Sequence, residues 1–149
     1  MATNISIPSS ESLSILSRFS SPLSVDDFIK KTQFTYYTEE ALAPVAEKYG
    51  VVLGIENVWN KFLLSPIEMR DLIDKVNSPF VGSYFDVGNV LYCGYPEHWI
   101  NILGKRITKG HFKDYKREPG GLNCFVDLLS GDVDYIAVMD AFRNIGYDG

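Results

Sequence analysis

Three apolar runs in this 149-residue chain lead into a group that can hold a cation. VVLGIE stops at Glu56, VGSYFD stops at Asp86, and ITKGHF carries His111. They fall roughly 30 residues apart, about the length of one strand–helix unit. Two carboxylates and one imidazole form an oxygen-rich, mixed donor set. Such a set suits Mn²⁺, Mg²⁺ or Co²⁺ better than a structural zinc, which prefers sulfur and nitrogen, although Zn²⁺ accepts these donors too. A single polar residue at a strand end commonly caps a helix or meets solvent. Three in phase point to ligation, the more so because the chain has two histidines in all. The other one, His98, stands beside Trp99 in a helical pattern and reads as surface packing.

For these groups to converge, the three runs must be neighbouring parallel strands. VVLGIE is short, apolar and β-branched without alternation, as expected of a parallel strand covered on both faces, and VGSYFD and ITKGHF read as two more strands. Helical patterns separate them. TEEALAPVAEKYG (38–50) carries Lys48 in its last turn and Gly50 as a stop, with Pro44 predicting a start near Ala43 or a bend. SPIEMRDLIDKV opens with Ser65 as cap, Pro66 in the first turn and Glu68 completing a capping box. Its Met69, Leu72, Ile73 and Val76 form one apolar stripe. PEHWINILGK places Pro96, Trp99, Ile100 and Leu103 on one face. After a loop with Gly120, Gly121 and Gly131, the residues Ile136, Met139, Phe142 and Ile145 predict a last helix. Alternating strands and helices imply an α/β fold with a parallel sheet, whose strand ends share one edge. In a (β/α)8 barrel that edge carries the active site. The chain supplies about three βα units with flanking helices, a partial TIM barrel, since a whole one takes roughly 250 residues.

Composition narrows the function classes. The net charge of −5 argues against a nucleic-acid binder, and no apolar run is long enough to span a membrane. Cys93 and Cys124 match no metal or redox spacing and predict reduced thiols in a cytoplasmic protein. The first 24 residues hold nine serines, one arginine and one glutamate without an apolar stretch. They read as a disordered leader rather than a signal peptide.

GIENVWN, YFDVGN, RITKGHFKD and GDVDYIAVMDAFRNIGYDG together resemble the sugar-phosphate isomerase/epimerase family of the xylose isomerase-like TIM-barrel superfamily. The resemblance runs over residues 38–149, and residues 1–37 do not match. It implies a divalent metal held by Glu, Asp, His and a second Glu, of which Glu56, Asp86 and His111 are the first three. The metal would bind a ketose or ketose phosphate and stabilise an enediolate, with Glu56 as ligand and catalytic acid/base. Many members carry His three residues after the metal Asp. Asn89 stands there, as in the branch acting on phosphorylated ketoses, and is implied to bind substrate. Lys113 is implied to assist with substrate charge, its alternative being a loop-bracing lysine, and Asp114 reads as an anchor for the following loop. The fourth ligand belongs beyond GYDG, so the chain alone is expected to be inactive and to self-associate. The other readings are an inosose-type dehydratase and a non-catalytic half-barrel; the superfamily's abasic-site DNA cleavage needs many more histidines.

Overall fold

The computed structural model describes residues 41–149; the Ser-rich segment 1–37 lies outside them. Its first helix, α1 (residues 41–49), is already helical at 41 and 42, so it does not begin at Ala43, and Pro44 lies inside the run. It ends as Gly50 predicts. Gly50 N–H bonds Glu47 O at 3.1 Å and Val51 N–H bonds Ala46 O at 3.0 Å. Gly50 takes φ +63°, a left-handed turn that glycine adopts without a Cβ penalty.

Strands β1 (Leu53–Glu56), β2 (Val81–Asp86) and β3 (Ile107–His111) form one parallel sheet in the order β1-β2-β3. Helix α2 (Pro66–Val76) links the first two strands. Its capping box forms as expected, with Glu68 N–H on Ser65 Oγ at 3.2 Å and Ser65 N–H on Glu68 Oε2 at 3.1 Å. Such a cap is typically worth about 1 kcal/mol. Helices α3 (Val87–Leu91) and α4 (Pro96–Leu103) link β2 to β3. Ile55, Phe85 and Ile107 face the helices and pack with Met69, Ile73, Trp99, Ile100, Leu103 and Phe142. Leu53, Val81 and Ser83 share that face. By alternation Glu56, Tyr84 and Asp86 point to the sheet's other face, which lines the interior of a closed barrel.

One irregularity decides which residues reach that face. Ser83 pairs with Ile107, but Tyr84 pairs with Lys109, so Thr108 is an extra residue in β3. Its hydroxyl donates to Ser83 O at 3.1 Å. The bulge sets Asp86 opposite His111. Without it, the period-two alternation would put Gly110 there and turn His111 toward the helices. Gly82 makes room: a Cβ at that position would sit 2.8 Å from Arg106 O and closer still to the Thr108 methyl.

The last helix, α5 (Tyr135–Asn144), is present, but its buried face is Val138, Ala141 and Phe142. Ile136 is 80% exposed and Met139 is exposed as well. The expected stripe stepped by three residues throughout, and such a series drifts around a helix of 3.6 residues per turn. The true face steps by three and then one, and Ile145 extends it. Helix α3 and two further short strands were not anticipated. α3 follows β2 without a loop, and β4 (Asp114–Tyr115) pairs antiparallel with β5 (Phe125–Val126) inside the glycine-rich stretch.

Candidate metal centre

Asp86 is the pivot of the site. It ends β2 and also caps α3, so Oδ1 accepts the Asn89 N–H at 2.8 Å. Its main chain is bracketed by the Asn57 amide. Asp86 N–H donates to Asn57 Oδ1 at 2.7 Å, and Asn57 Nδ2 donates to Asp86 O at 2.8 Å. Asn89 Nδ2 returns a bond to Asn57 O, and Trp59 Nε1 donates to Asn89 O, both at 2.8 Å. These bonds tie the exit of β1 to the exit of β2, which fixes the Asp86 carboxylate.

Its second oxygen, Oδ2, is buried and makes no hydrogen bond of good geometry. It faces the Lys113 ammonium instead, with Nζ 2.9 Å away, and His111 Nδ1 lies 3.1 Å away. His111 Nδ1 is also 3.4 Å from Glu56 Oε1. One ligand atom from each of Glu56, Asp86 and His111 falls within 4.8 Å of the others. The Tyr84 ring stacks on the imidazole with centroids 6.0 Å apart, steadying its plane. Exposure is graded. The Asp86 side chain is fully buried, whereas Glu56 and His111 are 33% and 41% exposed, so the cluster opens on one side. A buried carboxylate oxygen lacking a hydrogen bond, beside an imidazole and a second carboxylate, fits a divalent cation with an open coordination position.

Lys113 joins the cluster from the loop after β3. Its ammonium lies 4.3 Å from the centroid of the Phe125 ring. Its main chain is pinned as well, because Tyr135 OH donates to Lys113 O at 2.9 Å. Burial, and then the negative charges of Asp114 and Asp86, push that phenol up to about 12. Gly88 allows the close approach, since a Cβ there would meet Lys113 O at 2.9 Å. Asp114 anchors the following loop as expected, accepting from Tyr115 N, Gly131 N and Val133 N.

Glu56, Asp86, His111 and Lys113 thus come together. Asn89 touches the cluster through its main chain. Its side chain is engaged with Asn57, and with Asn57, Trp59, Leu63, Tyr92 and Leu122 it lines an adjoining cavity of about 380 Å³. His98 is on the surface against Tyr95, and Cys93 and Cys124 are free thiols. Asn57 and Tyr84 were missed in the sequence. Asn57 carried a signal, being polar directly after a strand-end carboxylate, but Tyr84 looked like any strand aromatic.

Comparison with known proteins finds chains of similar sequence and fold. The chain is 25% identical over 118 residues to an uncharacterised protein of Methanocaldococcus jannaschii, covering 76% of this chain and 40% of that one. A structure described as a D-tagatose 3-epimerase-like protein superposes with a TM-score of 0.73 at 22% identity, covering 87% of this chain and 49% of the other. The IolI protein, solved with a bound zinc atom, superposes with a TM-score of 0.69 at 20% identity, covering 87% and 48%. The chain therefore spans less than half the length of these relatives. Likeness at that identity speaks for the fold alone. Residues 38–149 also match the model of one protein family, and on that match the chain belongs to the xylose isomerase-like TIM barrel family.

Proposed function

We propose that this chain carries the metal-binding part of a sugar isomerase or epimerase acting on a ketose or ketose phosphate. The observation that supports this most is the convergence of the buried Asp86 Oδ2, His111 Nδ1 3.1 Å from it, and Glu56 Oε1 beside the same nitrogen. Glu56, Asp86 and His111 would hold a divalent cation, which supplies Lewis-acid polarisation of a substrate carbonyl.

The chain's own residues supply the first proton transfer. Glu56 is the most accessible carboxylate of the cluster and takes the proton from the carbon beside the carbonyl, a step in which a positioned base gains about 10²–10⁴-fold. Asp86, held by Asn57 and Asn89, keeps its aim and stays out of proton transfer. Asn89 contributes to substrate binding from the cavity wall, and the Lys113 ammonium, 2.9 Å from Asp86 Oδ2, adds positive charge beside the substrate's place at the cluster. The substrate is thus a small sugar rather than a nucleic acid. Among the described residues no helix is long and apolar enough to cross a membrane. Two free thiols suit the reducing cytoplasm, where we place the protein.

Hydrogen exchange tests the reading, because it needs one acid–base group where net epimerisation needs two. The chain is incubated with Mn²⁺ and a panel of ketoses and ketose phosphates in D₂O, and NMR follows loss of the C–H signal beside the carbonyl. Cation-dependent exchange that Glu56→Gln abolishes is the expected result. No exchange with any ketose, or exchange that survives Glu56→Gln, overturns the assignment.

A further inference from the structure

We propose that Lys113 is a positioning residue that aims Asp86 at the cation cluster while its charge holds the affinity for the cation down. This rests on the reading that Glu56, Asp86 and His111 bind a divalent cation.

The ammonium is not a wandering surface charge. Its side chain is 28% exposed and it meets Asp86 Oδ2 at 2.9 Å on one side and the Phe125 ring at 4.3 Å on the other. That ring belongs to β5, which pairs with β4, the strand that starts directly after Lys113. The backbone beneath is fixed by the Tyr135 hydroxyl and by the close approach of Gly88. The Asp114 carboxylate anchors the next residue to three amides. All these elements put the ammonium in one place.

That place has two consequences. Asp86 Oδ1 is satisfied by the Asn89 amide, but Oδ2 lacks a hydrogen bond of good geometry, and a fully buried carboxylate needs a compensating charge. Lys113 supplies it and keeps Oδ2 turned toward His111. Yet Oδ2 is also the oxygen offered to the cation, so ammonium and cation share one ligand atom and repel each other. The Lys113 ammonium offsets one of the two carboxylate charges that would otherwise draw the cation. At about 5 Å and an effective dielectric near 20, the bare repulsion between an ammonium and a divalent cation spans several orders of magnitude in affinity. Solvent screening and side-chain relaxation reduce it, and about tenfold is the floor.

Electron paramagnetic resonance of free Mn²⁺ reads the affinity directly. Wild type, Lys113→Met and Lys113→Arg are titrated as the full chain, with circular dichroism confirming the fold. Lys113→Met is expected to bind Mn²⁺ at least about tenfold more tightly, whereas Lys113→Arg stays within about threefold of wild type because the charge remains. A purely structural lysine predicts the reverse, looser binding once Asp86 loses its brace. Equal or weaker binding by Lys113→Met, or equal tightening by Lys113→Arg, overturns the proposal. If Lys113→Met fails to fold, Lys113→Gln takes its place. Loss of fold in both assigns the lysine to bracing alone and overturns the opposing-charge role. Absence of Mn²⁺ binding in wild type and every variant instead overturns the cation-site reading beneath it.

Discussion

Replacing Asn57 with alanine should unlock the site from behind. Asn57 is 5% exposed, and its amide makes two bonds to the Asp86 main chain, at 2.7 and 2.8 Å. Alanine leaves the Asp86 N–H and C=O without those partners at a place that water reaches poorly. Each buried group left unpaired costs about 1–3 kcal/mol, partly relieved by relaxation, so about 2–4 kcal/mol in total is expected. The bond from Asn89 Nδ2 survives, because its acceptor is the main-chain oxygen of Asn57. For a domain of this size, with a urea slope of about 1–2 kcal/mol per molar, the unfolding midpoint should fall by about 2 M. Urea titrations followed by circular dichroism measure it. Asn60→Ala is the control: its carboxamide accepts one exposed bond from Phe62 N–H, and its loss should shift the midpoint far less. A fall for Asn57→Ala no larger than for Asn60→Ala would refute the view that this amide holds Asp86 in place.

The same geometry makes further predictions. Gly82→Ala drives a methyl against Arg106 O and the Thr108 side chain, so it should cost about 1–3 kcal/mol and weaken cation binding by moving His111; equilibrium unfolding and a Mn²⁺ titration read the two effects. Phe142→Ala, in the core, should cost about 3–5 kcal/mol, while Ile136→Ala, on the exposed face of the same helix, should stay within about 0.5 kcal/mol by the same assay. Tyr135, pushed up to about 12, keeps its proton in the folded chain while the unfolded chain loses it near 10. Its contribution is therefore complete below pH 10 and is lost as pH rises from 10 toward 12, by about 1–2 kcal/mol for this half-buried phenol. Stability measured across that range should fall less steeply in Tyr135→Phe than in wild type.

The three strand ends were legible because chemistry and periodicity coincide there. Each of Glu56, Asp86 and His111 terminates an unalternating apolar run, and a parallel sheet brings such ends to one edge. Helix α2 was legible for a local reason, since Ser65, Pro66 and Glu68 act within one turn. What escaped depends on contacts between distant segments. The residue inserted at Thr108 is set by pairing with β2, and nothing in ITKGH marks it, although it decides that His111 faces the site. The brace from Asn57 to Asp86 spans 29 residues, and the pairing of β4 with β5 involves two residues on each side. The outward turn of Ile136 follows from which face of α5 meets Phe85 and Trp99, a choice made by packing.

The central claim is that Glu56, Asp86 and His111 share one divalent cation. Crystals of the chain soaked in Mn²⁺ and measured at the manganese absorption edge test it most directly. A single strong anomalous peak is expected at coordination distance, about 2.0–2.4 Å, from Glu56 Oε1, Asp86 Oδ2 and His111 Nδ1. Asp86→Asn should abolish or strongly reduce that peak. A manganese peak placed elsewhere, or one that persists undiminished in Asp86→Asn, would contradict it.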